Sequence, residues 1–208
     1  MNFDKSDSKI LNNIILARRD VRGDKFISKK IKRKTINKIL DAGLNAPSVG
    51  FSQPWKFVVV KDIETKQKIY KNFKKSYKKS KKYFKKRKQY NTLKLEGILQ
   101  TPINIAVFYK KPSKHILGQT SQKQMGQYSV VCAIQNMWLM ARSLNIGIGW
   151  VSILDHKKVN KTLNINNKYK LVGYLCVGYT KEFLNKPQLE ILKWEKRKKA
   201  RSVIKWVE

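Results

Sequence analysis

Apolar residues recur at helical spacing over Lys9–Ala17 and stop at the polar run Arg18-Arg19-Asp20-Val21-Arg22, followed by Gly23. A second helix is predicted from about Lys34 to Leu44. Short apolar runs predict strands near Phe57–Val60 and at Asn104–Tyr109. Between them, Lys61–Lys88 is dense in lysine, with Tyr70, Phe73, Tyr77 and Phe84 spaced so that the aromatics share one helical face. An amphipathic helix docked on the domain is preferred there to a base-stacking platform.

Tyr128–Leu144 is apolar on nearly every side, through Val131, Ile134, Trp138 and Ala141, which predicts a helix buried all round. Such a helix is either central or completed by a second subunit. Gly147 and Gly149 are expected to end it. Trp150–Leu154 and Leu171–Val177 read as strands, the latter ending at Gly178-Tyr179. Trp194 and Trp206, in a charged carboxy-terminal segment, are expected to anchor onto a neighbouring surface. Interspersed helices and strands without an internal repeat favour an α+β fold with a mixed sheet.

With 208 residues, 41% of them hydrophobic, the chain is expected to form a single domain over residues 1–208. Met1–Asn13 has no apolar signal core, and Gln135, Asn136, Arg142 and Ser143 interrupt the longest apolar stretch, so a soluble, cytoplasmic protein without membrane contact is expected. Cys132 and Cys176 lie in apolar runs, where a thiol packs as a small core residue. The two histidines, His115 and His156, have no ligand-spaced partners, and no metal is expected. The net charge of +34 raises nucleic-acid binding, yet the lysines are spread along nearly the whole chain beside abundant Asn and Ile. That distribution reads as a solvated lysine surface with no specific nucleic-acid partner.

Three segments carry candidate chemistry. Arg18, Arg19 and Arg22 surround Asp20 in a chain that otherwise uses lysine for positive charge, and guanidinium groups hold phosphate through paired hydrogen bonds. Asp20 is expected to stay ionised beside these cations. The loop Ala46–Trp55 carries Ser48, Ser52 and Gln53 in a turn closed by Pro54, between a helix and a strand, and suits a flat polar ligand. Ser152, a lone hydroxyl in the apolar run Gly149–Leu154, is expected to be buried and to face a ligand. No nucleophile elbow surrounds it, and the Walker and Gly-x-Gly-x-x-Gly phosphate signatures are absent.

These segments, with Leu93–Leu99, Tyr128–Trp138 and Gly173–Tyr179, together resemble the FMN-dependent nitroreductase fold family, and within it the BluB branch of 5,6-dimethylbenzimidazole synthases. The resemblance implies a nitroreductase-like homodimer with FMN sites at the subunit interface, each drawing residues from both chains. In this branch reduced FMN, delivered by a separate flavin reductase, reacts with dioxygen and fragments to 5,6-dimethylbenzimidazole and erythrose 4-phosphate, the former becoming the lower ligand of vitamin B12.

Carried over by motif, Arg18, Arg19, Asp20, Val21 and Arg22 would contact phosphate and ribityl. Ser52 and Gln53 would face the ring, Ser48, Leu95 and Gly149 would be among the cofactor-binding residues, and Arg197 would be a carboxy-terminal phosphate contact. Asp20 and Ser152 would assist fragmentation. Residues 70–90 stand where the branch has a lid, and their aromatic face would then turn toward the site. Gln119, Gly126 and Lys193 depart from the family pattern, Lys193 standing where glycine is usual. The alternatives are a general FMN-dependent oxidoreductase using NAD(P)H and, more distantly, a basic nucleic-acid-binding protein.

Overall fold

A computed structural model of the chain describes residues 2–208. Helix α1 spans Lys5–Ala17, starting earlier than the apolar spacing indicates because Asp4 and Asp7 form a reciprocal capping box. Helix α2 covers Arg33–Leu44, strand β1 Trp55–Val60 and helix α3 Ile63–Ser80, which Asp62 caps through the Thr65 N–H. Strand β2 runs Ile103–Lys110, helix α4 Met125–Ser143, strand β3 Ile146–Val151, helix α5 His156–Thr162, strand β4 Tyr169–Tyr179 and the short helix α6 Gln188–Ile191.

The strands form one sheet in the order β1-β2-β4-β3, and every neighbouring pair is antiparallel. Its parallel component is a single bridge, Asp20 to Ile148, through which the arginine segment runs beside the β3 edge. The two central strands are buried on both faces. Ile105, Val107, Leu175 and Val177 pack against Ile36 and Ile39 of α2 and Ile134 and Met137 of α4. Ala106, Phe108, Tyr174 and Cys176 pack on the other face with Ile69 and Phe73 of α3 and Val159 of α5. The pairing slips between Val107 and Phe108, whose partners are Gly173 and Leu171, leaving Val172 as the extra residue. That bulge reverses the alternation, so Leu171 shares a face with Tyr174.

Several expectations are corrected. Helix α4 ends before the glycines because Asn145 takes the left-handed position after it (φ 56°), and Gly147 and Gly149 lie inside β3. The helix is not buried all round within one chain: Tyr128, Val131 and Cys132 are exposed, since the sheet and α2 cover only its other side. Cys176 is the core thiol. Trp194 packs against Phe84 and Tyr90, whereas Trp206 stands exposed. Among the described residues no helix is long and apolar enough to cross a membrane.

Candidate active site

The arginine segment leaves α1 at Arg18, where the backbone turns extended. Arg142 of α4 fixes this exit by donating to the Ala17 carbonyl (3.1 Å), and the Trp138 indole donates to the Arg19 carbonyl (3.2 Å). Along β3, the Val21 N–H donates to the Ile148 carbonyl (3.0 Å) and the Trp150 N–H to Asp20 Oδ1 (3.1 Å). The segment lies so close that a Cβ on Gly149 would run into the Val21 carbonyl oxygen, a position only glycine can fill.

The three arginines do different work. Arg22 ion-pairs with Asp20 and donates through Nη1 to the carbonyls of Leu95 (3.0 Å) and Trp150 (3.2 Å). Arg19 donates to the carbonyls of Leu16 (2.5 Å), Arg18 (2.7 Å) and Asn185 (2.5 Å), while its Nε is buried without a partner. Burial and the neighbouring Arg18, Arg197 and Arg142 push its guanidinium below the ordinary value. The Arg18 guanidinium lies 5.0 Å from the Trp138 ring centroid.

These residues line a cleft of about 310 Å³. Arg18, Arg19, Asp20, Arg22, Leu95 and Arg197 all border it, so six positions read from the sequence converge there. Its walls also include Ile15 and Leu16 of α1 and Pro187–Leu189, positions that stand in no motif to mark them in the sequence. At Asp20 burial pushes the carboxyl above the ordinary value, against the opposing pull of Arg22 and the Trp150 N–H. Val21 and Gly149 do not border the cleft; both are buried where the segment packs against β3.

Ser152 is exposed rather than buried, because it lies just beyond the last residue of β3, outside the packed sheet. It stands outside the cleft lining, two residues beyond Trp150.

Ser48, Ser52 and Gln53 lie elsewhere. Ser48 Oγ accepts from the Gln53 N–H (3.1 Å), and Ser129 Oγ of α4 accepts from the Val49 N–H (3.1 Å), fastening the loop to the start of that helix. Gly50, Phe51 and Gln53 all have positive φ. Ser52 and Gln53 border a second cleft of about 200 Å³ with Lys110–Lys114, Ile116 and Gln119, and Ser52 Oγ is buried there without a hydrogen-bond partner. The two clefts flank opposite edge strands. Ser129 and Trp138, their footings on α4, are nine residues apart, roughly 13 Å along the helix.

The departing residues find local explanations. Gln119 donates to the Tyr109 hydroxyl (3.1 Å), whose ring fills the space a Cβ on Gly126 would need, 2.5 Å away. Lys193 adopts φ 56°, the left-handed backbone that glycine takes without strain.

The aromatic row of α3 faces inward: Phe73 is in the core, stacked with Tyr70 and Tyr77. Farther along, Phe84 stacks on buried Tyr90 and both pack against Trp194, with Leu93–Leu95 continuing directly into the arginine cleft. Among the described residues no His, Cys, Asp and Glu side chains cluster as metal ligands.

Residues 15–179 match the model of the nitroreductase family. The chain is 37% identical over 200 residues to a 5,6-dimethylbenzimidazole synthase of Rhodospirillum rubrum, with 94% of each chain covered. It is 40% identical over 173 residues to a putative NADH dehydrogenase/NAD(P)H nitroreductase of Archaeoglobus fulgidus, covering 81% of this chain and 84% of that one. Among solved structures, a nitroreductase with bound FMN from Bacteroides fragilis superposes with a TM-score of 0.68 at 28% identity, over 95% of this chain and 98% of the other.

Proposed function

The chain belongs to the nitroreductase family, and we propose that within it the protein is a 5,6-dimethylbenzimidazole synthase, an oxidoreductase acting on reduced FMN. Its substrates are reduced FMN and dioxygen, and the flavin is fragmented to 5,6-dimethylbenzimidazole and erythrose 4-phosphate. The observation that carries the reading is the arginine cleft with a single carboxylate in its lining, in a chain similar to such synthases over nearly its whole length.

The donor set fits FMN. Arg18, Arg19, Arg22 and Arg197 offer a phosphate the paired, charge-assisted donors it binds best. Arg19 Nε and Ser52 Oγ are buried polar atoms without protein partners, one beside each cleft, as a ligand that supplies acceptors and donors would require. Asp20 is oriented by the Trp150 N–H and Arg22, and its raised pKa suits it to take and return a proton on the ribityl side. Ser52 and Gln53 hold the ring, Ser48 keeps their loop closed, and Ser152 donates to the ring system from outside the arginine cleft.

The separation of the clefts supports a homodimer in which one chain's loop 48–53 completes the partner's arginine cleft. The exposed apolar residues of α1, Ile10, Leu11, Ile15 and Leu16, and Val131 of α4 are surface that such an interface would bury. Residues 70–90 serve as the lid, excluding water during the reaction. A separate flavin reductase supplies reduced FMN.

The test is incubation of the protein with reduced FMN in air and mass-spectrometric detection of 5,6-dimethylbenzimidazole. Asp20→Asn is expected to abolish product while FMN still binds; unchanged product formation would remove Asp20 from the proton transfer. The similarity to the Archaeoglobus fulgidus protein favours a second reading, an FMN oxidoreductase that retains its flavin and uses NAD(P)H. Flavin reoxidation without any fragment, together with NAD(P)H oxidation, would select it.

A further inference from the structure

Helices α3 and α5 lie against each other and enclose a groove of about 460 Å³ that shares no lining residue with either cleft. Lys68, Lys71, Lys75 and Lys79 of α3 line one side, and Lys158 and Lys161 of α5 the other. All six ammonium groups are on exposed residues. The lining contains one carboxylate, Asp155, whose Oδ1 already accepts from the Lys158 N–H as the cap of α5 and whose Oδ2 is 3.9 Å from Lys158 Nζ. Lys71, Lys75 and Lys79 follow one another at four-residue spacing, an arrangement of like charges that costs helix stability. The opposite face of α3 carries Ile69 and Phe73 into the core, so packing fixes which way the lysine row points.

We propose that this groove binds a nucleic-acid strand through its phosphodiester backbone, without sequence preference. Three observations select that ligand. The lining has no aromatic residue and no arginine, which removes base stacking and bidentate recognition and leaves point charges suited to a phosphate backbone. The same composition disfavours a protein partner, since interface cores are depleted in lysine and enriched in aromatics and arginine. The lysine row rises roughly 6 Å per step along α3. That interval suits phosphates separated by a sugar, rather than the phosphates of inorganic polyphosphate, which share a bridging oxygen. Ser76 and Thr162 stand among the lysines as neutral hydrogen-bonding groups for sugar and base edges.

The experiment measures fluorescence anisotropy of labelled 15-nucleotide oligo-dT and oligo-rU with the full chain across a salt series. It compares wild type, a groove variant (Lys71→Gln, Lys75→Gln, Lys161→Gln) and a control with the same change in charge on exposed positions elsewhere (Lys30→Gln, Lys34→Gln, Lys38→Gln). The groove variant is expected to bind at least about tenfold more weakly and to lower the salt slope by about 2, since each phosphate no longer neutralised removes roughly 0.7 from it. The control is expected to stay within about twofold of wild type. Equal losses in both variants would assign binding to overall charge and overturn the groove. Undiminished binding by the groove variant, or no binding by wild type at physiological salt, would overturn it also. Inorganic polyphosphate is run as competitor, and displacement of the oligonucleotide at a far lower phosphate concentration than unlabelled oligonucleotide needs would overturn nucleic acid as the occupant.

Discussion

The Asn72 side-chain amide pairs with the Asp155 backbone in both directions, Nδ2 donating to the carbonyl at 3.0 Å and Oδ1 accepting the N–H at 2.9 Å. This joins α3 to the turn that carries Ser152, three residues earlier. Asn72→Ala is expected to lower stability by about 1–2 kcal/mol, two hydrogen bonds being exchanged for water. Urea denaturation checks the loss. If Ser152 acts on the flavin, the same variant lowers kcat more than it raises KM, because the turn is loosened while the arginine cleft is untouched.

Ser52 offers the opposite balance of stability and binding. Its Oγ is buried without a partner, so Ser52→Ala is expected to raise the stability of the ligand-free protein by about 1 kcal/mol and to weaken FMN binding by a similar amount. Thermal melts with and without FMN separate the two effects. A variant destabilised in both states would show that the hydroxyl is satisfied inside the protein.

Lys193 holds a left-handed backbone at the turn before Trp194. Replacement by glycine relieves that conformation at the cost of a freer unfolded chain, leaving an expected gain of up to about 1 kcal/mol. A raised urea midpoint with an unchanged slope is the signature sought, and Lys193→Ala should show no such gain.

Lys66 is buried, with Nζ donating to the carbonyls of Thr101 (2.6 Å) and Pro102 (3.1 Å), and burial pushes its ammonium below the ordinary value. Between that lowered value and the unfolded one near about 10.4 the unfolded chain binds more protons, so stability rises with pH. The penalty for burying the charge is complete below the folded pKa and disappears above the unfolded one. Relative to Lys66→Met, wild type should therefore gain stability as pH climbs toward the lysine range. Parallel urea midpoints for the two proteins across that range would contradict this.

Much of the fold was legible along the chain. The apolar spacing of α2 and the continuous run of β2 are local patterns, and Ile36, Ile39 and Ile103–Tyr109 are buried as those patterns require. Asn145 shows the limit: glycines two and four residues later looked like the end of α4, but an asparagine in the left-handed region stopped it first.

Which elements form and which residues carry the chemistry could be read from the chain itself, because periodicity, capping and donor type are properties of a few neighbouring residues. What those residues face could not, and it took the folded arrangement to set it. Arg22 reaches the carbonyls of Leu95 and Trp150, and Arg19 that of Asn185, partners that depend on sheet order and loop paths rather than on nearby sequence. The same long-range geometry put Ser52 and Arg18 in separate clefts of one chain, since antiparallel pairing in the order β1-β2-β4-β3 sends their segments to opposite edges.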